Sequence, residues 1–145
     1  MKVSVEKALL FNFSEPERAK KVKAALLCMG AGIKEIREED FSLPLGRFVG
    51  LQAEPDGENP PAESSAFTEE MLVLYRFSNK KIDDLLRRLK KAGVQVNCKA
   101  VLTPTNMHWS AARLIGELKQ EHDAMERGET VHGEAPEDLQ PEELQ

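Results

Sequence analysis

Two stretches of the chain, Leu9-Leu10-Phe11-Asn12-Phe13-Ser14 and Val73-Leu74-Tyr75-Arg76-Phe77-Ser78, carry the same pattern of residue types. Downstream, Ala31-Gly32-Ile33 matches Ala92-Gly93-Val94, so the two halves align with a three-residue gap. In each half an apolar run ends at a serine, an amphipathic stretch follows, and a glycine closes it. Serine is a preferred helix N-cap, and glycine supplies the left-handed exit that a helix C-terminus favours. The spacing therefore predicts strand, helix, strand, twice over.

The first strand is expected over about residues 7–13. Ser14 then caps a helix, with Glu17 completing a capping box. Ala19, Val22, Ala25, Leu26 and Met29 recur at helical spacing, and a weak second strand follows from Ile33 to Arg37. The second half repeats this over Met71–Phe77 and a helix capped by Ser78 with Ile82, Leu85, Leu86 and Leu89 as its stripe. A strand in which Val94, Val96, Cys98, Ala100 and Leu102 alternate with polar residues completes it. A third helix is expected over about residues 110–126, capped by Ser110, with Trp109 and Leu114 as a hydrophobic staple.

A duplicated βαβ unit of this kind predicts an α+β, ferredoxin-like fold with a four-stranded antiparallel sheet, an additional C-terminal helix and a disordered acidic tail. The expected layout is one α/β domain over 1–126, with halves at about 7–40 and 71–102 and a tail over 127–145. Alternation places Phe11 and Phe13 on one face of the first strand and Ala8 and Leu10 on the other, with Tyr75 and Phe77 against Leu72 and Leu74 on the third. Both sheet faces then need cover. Two helices cover one; the third helix, or a second copy in a homodimer, is expected on the other. The apolar residues of Phe41–Leu51 read as packing, against the alternative of an exposed partner patch.

Charge divides along the chain. Residues 52–70 hold six acidic and no basic residues, and residues 126–145 hold seven acidic residues against Arg127 alone. With a formal net charge of −5, the rest of the chain sums to +7, so the packed body is basic and its appendages are acidic. Glu54-Pro55-Asp56-Gly57 and Asn59-Pro60-Pro61 mark 52–70 as a mobile loop. The longest apolar runs, Ala24–Met29 and Met71–Tyr75, are far short of the roughly 20 residues of a membrane helix, so no membrane association is expected. The N-terminus lacks the layout of a secretory signal. Cys28 and Cys98 have no metal or redox spacing and read as buried core thiols in a reducing cytoplasm.

Chemistry-bearing residues concentrate in the loop before the third helix. Thr103, Thr105, Asn106, His108 and Trp109 fall next to a helix N-terminus, where free N–H groups favour an anion, and form the candidate ligand site. Ordinary turn chemistry is the competing account of the same residues. An enzyme would use His108 as acid/base with Thr105 and Asn106 orienting a substrate, but no nucleophile or second carboxylate can be placed beside it, so no catalytic residue is assigned. His108 and His122 lie about 20 Å apart along a helix and cannot share an ion. No metal and no cofactor is expected. Gly30-Ala31-Gly32 follows a helix instead of a strand and lacks the dinucleotide-binding pattern. The basic residues Lys80, Lys81, Arg87, Arg88, Lys90 and Lys91 sit on a helix, away from the aromatic strands, which argues against nucleic acid as the partner. The expected function is a non-catalytic module that binds a small molecule or protein or regulates one; the alternative is a small enzyme using the Thr103–His108 loop.

The run Lys99-Ala100-Val101-Leu102-Thr103-Pro104-Thr105-Asn106, followed by Trp109-Ser110, Leu114, Glu117-Leu118 and Glu121-His122, resembles the bacterial domain of unknown function 3783 family. The resemblance spans about Met71 to His122. It implies a bacterial cytosolic protein and assigns no activity, cofactor or site residue.

Overall fold

The computed structural model describes residues 6–126, with side chains to Glu121. The element order is β1 (Lys7–Phe11), α1 (Pro16–Cys28), β2 (Gly32–Ile36), β3 (Met71–Tyr75), α2 (Asn79–Lys91), β4 (Cys98–Val101) and α3 (Ala111–Glu126). Short 3-10 turns at Glu38–Asp40, Leu45–Val49, Ala62–Ser64 and Asn106–His108 punctuate the connections. The expected tail over 127–145 lies outside the described residues.

The four strands form one sheet in the order β2-β1-β3-β4. Strands β1 and β2 are parallel, β3 and β4 are parallel, and β1 meets β3 antiparallel. The sheet is therefore mixed, and the antiparallel, ferredoxin-like expectation is corrected. The ferredoxin-like plan splits each βαβ unit by interleaving the strands of the two units. Here each unit keeps its own two strands adjacent. The long connection over residues 37–70 makes this arrangement accessible, because β2 and β3 need not be hairpin neighbours.

Strands β1 and β3 end two residues earlier than their composition suggests. Asn12 and Arg76 both have φ of 66°, in the left-handed region. A residue in that region breaks the pleat and its two-residue alternation. Phe13 and Phe77 consequently fall in the same apolar cluster as Ala8, Leu10, Leu72 and Leu74, while Phe11 and Tyr75 belong to the opposite cluster with Leu9 and Val73. The expectation that Phe11 and Phe13 share a face, and Tyr75 and Phe77 likewise, is corrected on this ground.

The helices follow the predicted stripes. Val22 and Leu26 of α1 and Leu85 and Leu89 of α2 are at most 2% exposed and pack on the Ala8–Leu10 face. Each such leucine contributes about 1.5–3 kcal/mol relative to exposure. Ser78 caps α2 by accepting from Lys81 N at 3.2 Å. Helix α1 is capped differently: Glu15 accepts from Arg18 N at 2.8 Å, and Ser14 does not cap. Pro16 explains the shift. It favours the first helical position and pushes the residue before it to an extended conformation. Glu15 is held at φ −81°, ψ 116° and so becomes the cap.

The helix exits realign the halves. Gly30 and Gly93 have φ of 77° and 78°, and the N–H groups of Ala31 and Val94 return to Leu26 and Leu89 carbonyls. Gly30, and not Gly32, is thus the counterpart of Gly93. Cys28 is corrected as well: it faces solvent, whereas Cys98 is half-buried.

The second sheet face is covered from within the chain. Phe41, Leu45 and Val49 from the connection join Leu114 and Ile115 of α3 against Leu9, Phe11, Met71 and Val73. Phe41 stacks on Phe67 with centroids 4.5 Å apart, and Phe11 lies 5.6 Å from Phe41. The packing role expected of Phe41–Leu51 is what is observed. Gly46 lets the connection approach closely: a Cβ there would stand 3.1 Å from Met107 Cβ and 3.2 Å from Ala53 Cβ. Among the described residues no helix is long and apolar enough to cross a membrane.

Candidate functional site

The loop Thr103–Trp109 leaves β4 and turns into α3. Asn106 organises it. Its Oδ1 accepts from Thr103 N at 2.8 Å, its Nδ2 donates to the Val101 carbonyl at 3.0 Å, and its own N–H donates to Thr103 Oγ1 at 3.0 Å. Both ends of the amide are thus engaged, one within the loop and one on the end of β4. Thr105 is exposed and makes no side-chain cap to the following turn. Ser110 caps α3 as expected, accepting from Arg113 N at 3.2 Å. The guanidinium of Arg113 lies 4.3 Å from the centre of the Trp109 ring, a cation–π contact.

The acidic segment read as a mobile loop docks on this turn. The His108 carbonyl accepts from Asp56 N at 3.0 Å and from Asn59 Nδ2 at 3.1 Å. His108 Nδ1 stands 3.3 Å from the Glu54 N–H and 3.2 Å from the Glu54 carbonyl, accepting from one or donating to the other according to tautomer. Arg113 Nη1 is 2.7 Å from Asp56 Oδ1, a close ion pair even though its angle is poor for a hydrogen bond. The Glu58 backbone N–H and then Arg113 hold the Asp56 carboxyl below its ordinary range. The structure brings His108, Trp109 and the Asn106 turn together, but around backbone atoms of 54–59 instead of an open cavity.

A second region, which the sequence did not single out, is open. The approach to β4 and the end of α2 enclose a trough of about 430 Å³ lined by Leu86, Leu89, Lys90, Val94, Val96 and Lys99. Leu89, Val94 and Val96 form its apolar floor and are at most 5% exposed. Arg18 Nη2 fixes one wall by donating to the Gln95 carbonyl at 2.9 Å, and the same guanidinium grips Glu70 at 2.6 Å.

The expected strand over 94–102 places Lys99 on the wet side of one continuous alternation. The observed ladder starts only at Cys98, and Val94 and Val96 belong to the helix-side cluster while Cys98 and Ala100 belong to the opposite one. The phase slips between Val96 and Cys98. Lys99, paired in register with Leu72, is thereby turned to the helix side of an edge strand. Its Nζ donates to the Val96 carbonyl, and burial lowers its pKa. Asp84 takes both Arg87 and Arg88 at 3.3 Å, and Lys81 takes Glu6 at 2.7 Å. Among the described residues Lys90 and Lys99 have no ion pair. Nor do those residues contain a cluster of three or more His, Cys, Asp or Glu able to hold a metal ion. The side chain of His122 is outside the description.

Residues 70–125 match the family model described as Domain of unknown function (DUF3783). The match covers β3, α2, β4, the Thr103–Trp109 turn and α3 to its penultimate residue, so the trough lies wholly inside it. No curated protein and no solved structure matches the chain.

Proposed function

We propose that the protein is a non-catalytic binding module whose trough between α2 and β4 takes an acidic, leucine-bearing peptide segment. Lys99 carries this reading. It is an exposed residue that lines the trough, donates its Nζ to the Val96 carbonyl and meets no carboxylate among the described residues. A cation without a counter-ion at the rim of an apolar floor is complementary to an anion that brings its own apolar cover. The trough lies open beside an edge strand, a setting suited to an extended chain, where pockets along the edge read alternate side chains. The expectation of a homodimer loses its motive, because α3 and the connection already cover the second sheet face. The enzymatic alternative draws less support, since Asn106 and His108 are engaged with backbone. The family resemblance and the two unpaired cysteines support a bacterial, cytoplasmic setting.

A thermal-shift screen of the full chain tests the reading. Acidic leucine-containing peptides, octanoate as a small amphipathic anion, nucleotides and neutral peptides form the panel. A ligand at 100 times its Kd adds about 2.7 kcal/mol of stability. Stabilisation by the acidic leucine peptides that Lys90→Glu/Lys99→Glu removes supports the reading. Stabilisation by octanoate alone would make the trough a small-molecule site, and indifference to the double substitution would remove the trough from the account.

A further inference from the structure

We infer that the segment seated in the trough is the chain's own Glu137–Gln145. The inference rests on the reading of the trough given above and names its occupant.

The sequence of that segment is Glu137-Asp138-Leu139-Gln140, one proline, then Glu142-Glu143-Leu144-Gln145. It presents the same unit twice: two carboxylates, a leucine and an amide. The trough presents the complement, with an apolar floor of Leu89, Val94 and Val96 and two lysines, Lys90 and Lys99, in its lining. Asp84 pairs with both Arg87 and Arg88 of α2, whereas Lys90 and Lys99, which line the trough, have no ion pair among the described residues. The segment's carboxylates would face Lys90 and Lys99 while a leucine covers the floor, which leaves neither charge nor apolar surface alone.

The chain can reach. Lys119 of α3 pairs with Glu69 at 2.6 Å, two residues before Met71, and Met71 is the register partner of Cys98 at the start of β4. Helix α3 therefore passes beside the strand end that borders the trough. Its last described residue, Glu126, is seven residues beyond Lys119, about 10 Å along the helix. The eleven residues from Glu126 to Glu137 can span up to about 36 Å. Layers packed face to face stand about 10 Å apart, so passing from one side of the sheet to the other around β4 takes on the order of 20 Å, within that span. A short tether gives an effective concentration on the order of 1 mM, so an intrinsic Kd near 0.1 mM would fill the trough about nine-tenths of the time.

Hydrogen exchange on the full chain tests the inference, following amides of Gly93–Lys99 with those of β2 as the reference for overall folding. Leu139→Ala/Leu144→Ala should speed exchange over Gly93–Lys99 by about tenfold, as expected of removing nine-tenths occupancy, and leave β2 unchanged. Glu142→Lys/Glu143→Lys should do the same, and combining it with Lys90→Glu/Lys99→Glu should restore protection. A synthetic peptide of residues 137–145 should protect the same amides when added to the leucine variant. Unchanged exchange in both tail variants would overturn the inference. If an unrelated acidic leucine peptide then still protects Gly93–Lys99, the trough remains a binding surface and its occupant comes from another protein. If nothing added protects it, the binding reading falls as well.

Discussion

Asn12 and Arg76 end equivalent strands with the same left-handed backbone angle, φ 66° at each, yet only Asn12 is bonded for the task. Its Nδ2 donates to the carbonyls of Phe67 and Glu69, both at 2.9 Å, and so ties the end of β1 to the approach to β3. Arg76 is exposed, and its type is poorly suited to the left-handed region, which asparagine tolerates. Asn12→Ala should cost about 2 kcal/mol through lost bonds and backbone strain. Arg76→Asn should be neutral or stabilise by a few tenths of a kcal/mol. Urea denaturation of the two variants checks this; equal effects would mean the shared angle carries no strain.

The connection between the halves is part of the core, and its aromatic residues show it. Phe41 is 1% exposed and stacks on Phe67. Phe41→Ala should cost about 3–5 kcal/mol, as for a fully buried aromatic. A loop lying loosely on the sheet would lose less than about 0.5 kcal/mol. The midpoint of chemical denaturation separates the two.

The contact between Asp56 and Arg113 should be sensitive to acid. The Asp56 carboxyl is depressed in the folded state, first by the Glu58 N–H and then by Arg113. A depressed carboxylate contributes stability that is fully present above its unfolded value of about 3.9 and is lost as pH falls through the folded value. Glu69, lowered first by its hydrogen bond from Lys119, acts in the same direction. Stability should thus hold through neutral pH and decline below about pH 4, and Asp56→Asn should flatten part of that decline. Thermal unfolding between pH 2.5 and 6 reads it; a decline unchanged by Asp56→Asn would remove Asp56 from the account.

Asn106 separates a structural turn from a ligand site. Asn106→Ala removes two side-chain hydrogen bonds, from Thr103 N and to the Val101 carbonyl, and should cost about 1–3 kcal/mol of stability. It should leave the affinity of the folded protein for acidic leucine peptides within about twofold, a change of less than about 0.5 kcal/mol. Loss of that affinity at unchanged stability would restore the loop as the binding site.

Much of this was legible in the residues. The apolar stripes of Val22–Leu26 and Leu85–Leu89, the caps Ser78 and Ser110, the core role of Phe41–Leu51 and the polar loop before α3 all follow from local patterns, because short-range sterics and hydrogen bonding decide them. Strand order was not legible, since pairing is settled by where residues 37–70 travel and no local signal records that path. The backbone angle at Asn12 and Arg76 hid the reversal of Phe13 and Phe77, because alternation assumes an unbroken pleat. The same assumption concealed the trough. Lys99 counts as a wet-face residue only while Val94–Leu102 is one strand, and the slip between Val96 and Cys98 turns it toward α2.

The central claim is that recognition occurs between α2 and β4. Chemical-shift mapping tests it most directly, with an acidic leucine peptide titrated into isotopically labelled full chain carrying Leu139→Ala/Leu144→Ala. Perturbed amides confined to Leu86–Lys90 and Gly93–Lys99, and absent in the Lys90→Glu/Lys99→Glu background, are the predicted result. Perturbation centred on Thr103–Trp109, or none at millimolar peptide, would contradict it.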